Sequence, residues 1–249
     1  MSHAPEPALL DLTVRRKAFG DRPVLQDIHL RLAPGEIVGL VGASGCGKST
    51  LLRIAAGLDT AYEGSVRLDG QARHAPDRDI GFIFQEPRLF PWLSVAANVG
   101  FEAGSAGRDD PRVAALLSEV GLAGFGERLP KQLSGGQAQR VGIARGLFGQ
   151  PRVLLLDEPF SAVDAFTRIH LQAVLADVAV RRGLGLLLVT HDVEEAVVLC
   201  DRVLVLDARA GAPVREIAVP LPRPRRRDGA DLAALRKAVL QALHAVHAF

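Results

Sequence analysis

The first third of the chain alternates apolar and polar positions in short segments, a pattern that predicts β-strands. Residues 9–14 and 24–32 form two such segments, and the Gly-Asp-Arg-Pro run at residues 20–23 predicts a turn between them. A third short strand is predicted over residues 36–41, where it runs directly into a glycine-rich segment. The chain therefore begins with predominantly β structure.

The spacing of apolar residues then changes towards the helical period. It predicts a helix over residues 50–56 that ends at the next glycine, because glycine commonly terminates helices. Further strand-like pieces occupy residues 64–84, and residues 92–148 look mostly helical, with glycine breaks at 104–107 and 124–126. We interpret the helical stretch as an inserted subdomain.

Two fully apolar runs in the second half predict strands that are buried on both faces. They cover residues 153–156 and 186–189, and a helical pattern over residues 166–180 separates them. Strands that alternate with helices in this way predict an α/β fold with a mainly parallel sheet. A proline- and arginine-rich stretch after Pro220 leads to a last amphipathic helix, predicted at about residues 232–245.

The amino-acid composition limits the classes of protein to which the chain can belong. The chain has 249 residues, of which 48% are hydrophobic, but its longest apolar runs fall far short of the ~20 residues that a membrane-spanning helix requires. The N-terminal residues lack the pattern of a secretory signal, and the two cysteines, Cys46 and Cys200, cannot form a disulfide framework, so we expect a cytoplasmic protein. The net charge of +2 predicts no nucleic-acid partner, and the basic cluster at residues 223–227 is interpreted as a solvated or interface-lining tail.

A phosphate-binding loop is the first candidate site. The pattern G-x-x-x-x-G-K-[ST] occurs after a predicted strand and opens a predicted helix. Glycines let backbone N–H groups turn towards an anion, the lysine contacts the β- and γ-phosphates, and the last hydroxyl can hold Mg²⁺. The predicted nucleotide-binding residues here are Gly42, Ala43, Ser44, Gly45, Cys46, Gly47, Lys48, Ser49 and Thr50.

The chain uses arginine far more often than lysine, with 26 arginines and only four lysines, so a lysine at position 48 is an exception. We infer that a compact ammonium group is needed there, because arginine and lysine are not interchangeable at such sites.

Two acidic residues follow the apolar run at 153–156. Asp157 and Glu158 would lie at the carboxyl edge of a parallel sheet, where α/β proteins place their ligands. Asp157 is predicted to hold Mg²⁺ through water, together with Ser49, and Glu158 to orient or deprotonate the attacking water. His191, which follows the next buried run, could contact the γ-phosphate or position Glu158. Two acids after a strand are also common as simple solvation of the strand end.

The segment Leu133-Ser134-Gly135-Gly136-Gln137 resembles the signature sequence of the ABC ATPases. It places a hydroxyl and backbone donors at the start of a predicted helix, where an anion is favoured, although an ordinary helix cap would look similar. The resemblance extends over about residues 8–220, with every motif in the order of the family. It implies a phosphate-loop NTPase fold with a RecA-like core, an antiparallel β subdomain and an inserted helical subdomain.

The same resemblance assigns further residues. Phe19 looks like the aromatic residue that stacks on adenine, with Val24 nearby, and Gln85 looks like the glutamine that reaches Mg²⁺ and the attacking water. The loop at residues 161–164, which ends at Asp164, resembles the one that crosses between dimer halves. His191 matches the switch histidine. The cofactors implied are ATP and Mg²⁺.

In that family, the signature of one subunit closes on ATP held by the phosphate loop of a second copy. The resemblance therefore implies a head-to-tail dimer in which Ser134, Gly135, Gly136 and Gln137 contact nucleotide across the interface. It also implies integral-membrane permease subunits as partners, a solute-binding protein acting indirectly, and a peripheral place on the cytoplasmic face of the inner membrane. We predict an ABC ATPase domain at residues 8–220, with the helical subdomain at about 88–150, followed by a basic linker and helix at 221–249.

The run at residues 86–95 resembles the ATPases of importers for aliphatic sulfonates, taurine and nitrate, and residues 191–196 and 222–225 indicate the same group. We predict import of a small anion, most plausibly an aliphatic sulfonate. The alternatives are an exporter ATPase subunit or an ABC protein without a transport role. A phosphate-loop kinase or GTPase would not explain residues 133–137.

Departures from the family pattern are mild. Phe19 replaces the commoner tyrosine, and Val163 replaces a usual leucine. Gly146 stands where alanine is usual, at a cost of about 1 kcal/mol if the position lies inside a helix. Because no charged or metal-binding group is lost, we expect an active ATPase.

Overall fold

The computed structural model describes residues 8–207 and 213–247, and in these residues ten strands form two sheets. The strands are β1 (Leu10–Phe19), β2 (Arg22–Leu32), β3 (Ile37–Gly42), β4 (Glu63–Leu68), β5 (Gln71–Arg73), β6 (Ile80–Ile83), β7 (Val153–Asp157), β8 (Gly185–Val189), β9 (Arg202–Leu206) and β10 (Pro213–Ala218). The helices are α1 (Lys48–Ala55), α2 (Val95–Val99), α3 (Pro111–Glu119), α4 (Gly135–Phe148), α5 (Ala165–Arg182), α6 (Val193–Leu199) and α7 (Ala230–His247), with 3-10 helices at Phe101–Asp109 and Pro130–Gln132.

The larger sheet has six strands in the order β10-β9-β3-β8-β7-β6. All neighbouring pairs are parallel except β10 with β9, which confirms the predicted mainly parallel sheet. Successive residues of its central strands belong to two different hydrophobic clusters: Leu154 and Leu156 to one, Val153 and Leu155 to the other. The sheet is therefore covered on both faces, which explains why its strands are apolar throughout.

The smaller sheet is antiparallel, with strands in the order β2-β1-β4-β5. The turn predicted at residues 20–23 is shorter than expected, because Arg22 and Pro23 already belong to β2. Phe19 pairs with Arg22, so only two residues make the turn, and Gly20 adopts a φ of 58° there. Two-residue hairpin loops need such positive φ values, which glycine adopts without strain.

The helices between residues 95 and 148 differ in detail from the prediction. A 3-10 helix runs from Phe101 to Asp109 across the expected break at 104–107. The break is confined to Gly104, whose φ of 67° and ψ of −145° are not helical. The chain closes tightly here, since a Cβ at Gly100 would lie 2.1 Å from the carbonyl oxygen of Gly107. The first helix of the chain also starts earlier than predicted, at Lys48 rather than at residue 50.

Asn98 in α2 organises the loop that precedes this helix. Its buried side-chain amide donates to the carbonyl oxygens of Phe90, Leu93 and Ser94 at 3.0–3.1 Å, and its Oδ1 accepts from the N–H of Phe90 at 2.8 Å. The loop so fixed carries Trp92, of which 73% is exposed. One buried amide therefore holds an exposed aromatic residue in place.

The C-terminal segment packs against the larger sheet. Leu232, Val239 and Val246 of α7 are buried in the same cluster as the central strands. Of the two predicted roles of the basic cluster, full solvation is wrong for Arg225, whose buried guanidinium group donates to the carbonyl oxygens of Val197, Val198 and Cys200, whereas a role in lining an interface stays a prediction. Among the helices at residues 8–207 and 213–247, none is long and apolar enough to span a bilayer.

Candidate nucleotide-binding site

The phosphate loop joins the end of β3 at Gly42 to the start of α1 at Lys48. Gly45 and Gly47 have φ values of 78° and 98°, which only glycine adopts readily. A Cβ at Gly47 would lie 2.5 Å from Leu25 Cδ2, so β2 packs directly against the loop. Because the loop ends at a helix N-terminus, its N–H groups and the helix dipole favour an anion.

Lys48 folds back over the loop from which it starts. Its Nζ donates to the carbonyl oxygens of Gly42 at 2.9 Å and Ala43 at 2.8 Å, and it lies 3.7 Å from Cys46 Sγ. The side chain is buried against the loop. The ammonium group is therefore held at the centre of the loop, where it maintains the loop conformation and concentrates positive charge.

Ser49 and Asp157 meet beside the loop, although 108 residues separate them in sequence. Ser49 Oγ donates to Asp157 Oδ1 at 2.9 Å. Burial raises the pKa of the Asp157 carboxyl, and the hydrogen bond from Ser49 opposes this shift. A hydroxyl and a buried carboxylate are hard oxygen ligands, which Mg²⁺ prefers. The pair fits the predicted metal site.

Glu158 brings the three predicted catalytic residues together. Gln85 Nε2 donates to Glu158 Oε2 at 3.2 Å, and His191 Nδ1 lies 3.1 Å from the same oxygen. The backbone of Glu158 has a φ of 46°, a left-handed conformation that is uncommon for non-glycine residues and often found at functional sites. Its N–H donates to the carbonyl oxygen of Val189 at 2.9 Å, which fixes the turn after β7.

A polar cluster that the sequence did not predict supports the loop of His191. Thr190 Oγ1 donates to Glu195 Oε2 at 2.7 Å and accepts from the N–H of Asp192 at 3.0 Å. Arg168 Nη1 lies 3.4 Å from Asp192 Oδ2 and 3.5 Å from Glu195 Oε1. The sequence signal was present, because an aspartate followed by two glutamates predicts the N-terminus of a helix such as α6.

The signature residues form a capping box at the N-terminus of α4. Ser134 Oγ accepts from the N–H of Gln137 at 3.2 Å, and Gln137 Oε1 accepts from the N–H of Ser134 at 2.9 Å. A Cβ at Gly135 would meet no atom within 4 Å, whereas one at Gly136 would lie 3.2 Å from the carbonyl oxygen of Ala162. Ser134 and Gly135 are exposed and Gly136 is half-buried, and in the described part of the chain no hydrogen bond joins these residues to the phosphate loop, so the start of the signature faces solvent.

Asp164 caps the next helix along this surface. It precedes α5, and its side chain accepts from the N–H of Thr167 at 3.0 Å. That backbone hydrogen bond lowers the pKa of the Asp164 carboxyl. The anionic form of Asp164 is therefore favoured at the N-terminus of α5.

The predicted adenine side of the site contains a buried cation. Phe19 is 56% exposed, and Lys17 Nζ lies 4.6 Å from the centroid of its ring. Lys17 is buried and donates to Asp59 Oδ1 at 2.7 Å and to the carbonyl oxygen of Ala61 at 2.9 Å. Val24 is half-buried on β2, and its carbonyl oxygen lies beside the phosphate loop. The sequence did not single out Lys17, because its partners lie more than 40 residues away.

The signature helix also holds the loop that contains the predicted glutamine. Gln139 Nε2 donates to the carbonyl oxygen of Phe84 at 3.1 Å. Arg145 donates to the carbonyl oxygens of Pro87 at 2.7 Å and Arg88 at 3.0 Å. Two side chains of α4, neither of which was predicted, thereby connect the signature to Glu158 through this loop.

Comparison with known proteins decides the family. A family model described as ABC transporter matches residues 25–161, which is more than half of the chain. The chain belongs to this family. Aliphatic sulfonates import ATP-binding protein SsuB 1 of Xanthomonas axonopodis pv. citri is 58% identical, over 96% of this chain and 98% of the relative. SsuB 2 of Burkholderia cenocepacia is 57% identical, over 97% of this chain and 89% of the relative.

Solved structures agree with this assignment. A dimeric ABC cassette in a post-hydrolysis state with bound ADP and Pi is 31% identical, with a TM-score of 0.76 over 86% of this chain and 100% of the solved one. A second dimeric structure, described as a bacterial ABC transporter cassette, matches equally well. The predicted family and the predicted fold class are confirmed, whereas the domain boundaries and the roles of individual site residues stay predictions.

Proposed function

We propose that this chain is the ATP-hydrolysing subunit of an ABC importer for a small anion, with an aliphatic sulfonate as the first candidate solute and taurine or nitrate next. The names of the relatives from Xanthomonas and Burkholderia support the solute class. The single observation that carries the hydrolytic role is the Glu158 carboxylate, because Gln85 and His191 both contact its Oε2 at the sheet edge that bears the phosphate loop.

The loop at residues 42–50 is the proposed binding site for the phosphates of ATP. Its N–H groups and the N-terminus of α1 attract the phosphates, and Lys48 exchanges its two carbonyl contacts for phosphate oxygens. Phe19 offers an exposed ring to the adenine, beside Val24. Binding and orientation of ATP are therefore distributed over the two sheets.

Mg²⁺ fits the oxygen atoms of Ser49 and Asp157, with Gln85 as the third predicted contact. Among the described residues Asp157 has no direct ion pair; Arg53 and Lys48 act on its carboxyl from a greater distance, and burial still raises its pKa. When bound, Mg²⁺ neutralises charge that develops on the phosphate oxygens. Ser49 and Asp157 are already joined by a hydrogen bond, so the protein holds both oxygens near one point.

Glu158 is the group that orients or deprotonates the attacking water. Gln85 donates to it and His191 lies against it, so its carboxylate has a defined direction. Positioning and electrostatic stabilisation supply most of the rate enhancement in phosphoryl transfer. The left-handed backbone at Glu158 is consistent with a side chain held in place for chemistry.

Two copies complete the site. Ser134 and Gly135 are exposed and Gly136 follows them at the start of α4, so we propose that these residues bind nucleotide held by a second copy, head to tail, with Gln137 and Asp164 at the same interface. The dimeric state of the related cassettes supports this arrangement. ATP bound between two surfaces would favour closure because each surface contributes contacts only in the closed state.

The proposed partners are a second copy of the chain, integral-membrane permease subunits and, indirectly, a solute-binding protein, with no nucleic acid. The importer role places the chain peripherally on the cytoplasmic face of the inner membrane. We retain the division into an ATPase domain at 8–220, with a helical subdomain at about 88–150, and a linker and helix at 221–249.

Glu158→Gln tests the hydrolytic role. We expect it to keep ATP binding, to lower kcat at least a hundredfold because the base is lost, and to accumulate an ATP-bound dimer. Steady-state ATPase assays and light scattering with and without ATP measure both effects. Lys48→Ala should instead weaken ATP binding itself.

Glu63→Gln, an exposed substitution on β4, is the matched control and should behave as the unaltered chain. Normal turnover by Glu158→Gln would contradict the assignment of Glu158 as the base.

Growth of a deletion strain tests the proposed solute. A strain lacking this chain should fail to grow on an alkanesulfonate as the sole sulfur source, and growth should return with the unaltered chain but not with Lys48→Ala. Unimpaired growth of the deletion strain would contradict the proposed solute.

A further inference from the structure

A cavity of about 380 Å³ lies between α5, the C-terminal end of α6 and the arginine-proline segment at residues 221–227. We call it the α5 cavity. None of the described residues that line it belongs to the predicted nucleotide site. Its volume lies within the range of small-molecule sites in proteins. The cavity therefore offers a second place on the chain at which a ligand could be held.

One wall of the α5 cavity is an apolar stripe on the outer face of α5. Ile169, Ala173, Ala176 and Val180 line it, and their spacing of three and four residues places them on one side of the helix. Ile169 is 47% exposed and Val180 is 64% exposed. The opposite side of α5 is buried in the core, so this helix is apolar on two faces. An exposed apolar surface of this kind commonly marks a binding site.

The facing wall is built of arginines that the protein itself fixes. Arg223 Nη2 donates to the carbonyl oxygen of Leu199 at 2.7 Å, and Arg225 Nη1 donates to that of Cys200 at 2.6 Å. These carbonyl groups lie at the end of α6, where helical partners are lacking. Both arginines are therefore held in one orientation, and a ligand that binds between the walls needs to order little of the protein.

A buried hydrogen-bond donor on the α5 side of the cavity lacks an acceptor. Gln172 is 2% exposed and lines the cavity, and its Oε1 accepts from Arg227 Nη2 at 2.5 Å. Its Nε2 has no hydrogen-bond partner. Buried polar groups in proteins are nearly always paired, so an unpaired amide donor indicates a place for an acceptor oxygen.

The charges around the cavity favour an anion. Two carboxylates each face two guanidinium groups: Asp201 faces Arg223 and Arg225, and Glu194 faces Arg227 and Arg236. Asp201 and Glu194 lie outside the lining, and Asp177, the acidic residue among the described residues that line the cavity, is paired with Arg181. Guanidinium groups thus outnumber carboxylates, and the local excess of charge is positive.

We propose that the α5 cavity binds a small anionic amphiphile, an unbranched alkyl chain that ends in a sulfonate or carboxylate group. The alkyl chain lies along the apolar stripe of α5, and a head-group oxygen accepts a hydrogen bond from Gln172 Nε2. This site is separate from the nucleotide site, so it stands or falls independently of the proposed hydrolytic role. The head group could come from a sulfonate solute or from a fatty acid.

Calorimetric titration of the full chain with 1-hexanesulfonate tests the proposal. Saturating ADP in every titration keeps the anion out of the phosphate loop. We expect saturable binding of one molecule per chain, with an affinity that rises about three- to fourfold for each methylene from butane- to hexanesulfonate. 1-Hexanol, which lacks the charge, should bind at least tenfold more weakly.

Variants locate the binding. Ala173→Trp fills the cavity from its exposed rim and should weaken binding at least tenfold, and Gln172→Leu, which removes the donor, should weaken it about fivefold. Ala234→Trp, the same change at an exposed position of α7 away from the cavity, is the control and should bind as the unaltered chain does. Absence of saturable binding, or equal binding by Ala173→Trp, would overturn the proposal.

Hexanoate distinguishes the two sources of the head group. A preference of tenfold or more for hexanesulfonate supports the site with a sulfonate ligand, and equal affinities support it with any anionic amphiphile, fatty acids included. Equal binding of hexanol and hexanesulfonate would count against the anionic head group and so against the proposal.

Discussion

Lys17 is a residue whose importance emerges only in three dimensions. Its ammonium group pairs with Asp59 and lies against one face of the Phe19 ring, while more than half of Phe19 stays exposed. A buried ion pair is sensitive to the loss of either member, because the remaining charge has no partner. Lys17 is thus a positioning residue that links β1 to the chain after α1 and orients the ring proposed to stack on adenine.

Substitution of Lys17 by methionine should raise the KM for ATP about three- to tenfold and change kcat less than twofold, because the Phe19 ring loses its support while Glu158, the proposed catalytic base, is untouched. Steady-state kinetics on folded protein measure both constants. Lys17→Arg should recover part of the loss, and Lys237→Met, an exposed lysine on α7, serves as control. In a Phe19→Ala background, Lys17→Met should add little to KM. A full additional increase there would show that Lys17 does not act through Phe19.

The raised pKa of Glu195 predicts that the stability of the fold depends on pH. Burial raises the pKa of its carboxyl, and the hydrogen bond from Thr190 opposes the shift. A raised pKa in the folded state means that the contribution of Glu195 to stability is fully present below the unfolded value of about 4.3 and is lost as pH rises through the folded value. At pH 7 the ionised carboxylate is therefore unfavourable relative to its neutral form.

Glu195→Gln mimics the protonated form, so it should raise the free energy of unfolding at pH 7, and the gain should shrink as pH falls towards 4. Urea unfolding across this range measures the difference, with Glu63→Gln as the control. A variant that is less stable than the unaltered chain at pH 7 would show that the contacts of the charged form with Arg168 outweigh burial.

At the scale of elements, α4 performs three tasks along its length. Its N-terminus presents Ser134, its middle fixes the loop of Gln85 through Gln139 and Arg145, and its end packs on β6 at Gly146. A helix that serves three surfaces cannot move at one of them without affecting the others. The glycine departs from the family pattern, and the structure explains it by close packing.

Gly146→Ala tests that packing. Helix propensity alone predicts a gain of about 1 kcal/mol, but a Cβ at this position would lie 2.8 Å from Ile83 Cγ1. Overpacking of this kind costs about 1–3 kcal/mol, so we expect a net loss of about 1 kcal/mol in denaturant unfolding. The loss should disappear when Ile83→Ala is combined with it, in a double-mutant cycle. An increase in stability would contradict the tight contact with β6.

At the scale of the whole molecule, the sequence predicted that the larger sheet is covered on both faces. The apolar runs at residues 153–156 and 186–189 have no polar face, so both sides of these strands must be buried. The same reasoning placed Ser49, Asp157 and Glu158 at one sheet edge. Contacts between distant segments did not follow: Lys17 with Asp59, and Arg225 with the carbonyl groups after α6, depend on where loops cross. The periodicity of apolar residues predicts which face of a strand or helix is buried, but it does not predict which partner a charged residue contacts.

The four hydrogen bonds of Asn98 have a mechanical consequence. They hold the backbone from Phe90 to Ser94 against α2, so this segment and the helix form one unit. Because the backbone is fixed to α2 on both sides of Trp92, we expect a displacement of its projecting indole to be accompanied by a displacement of this helix.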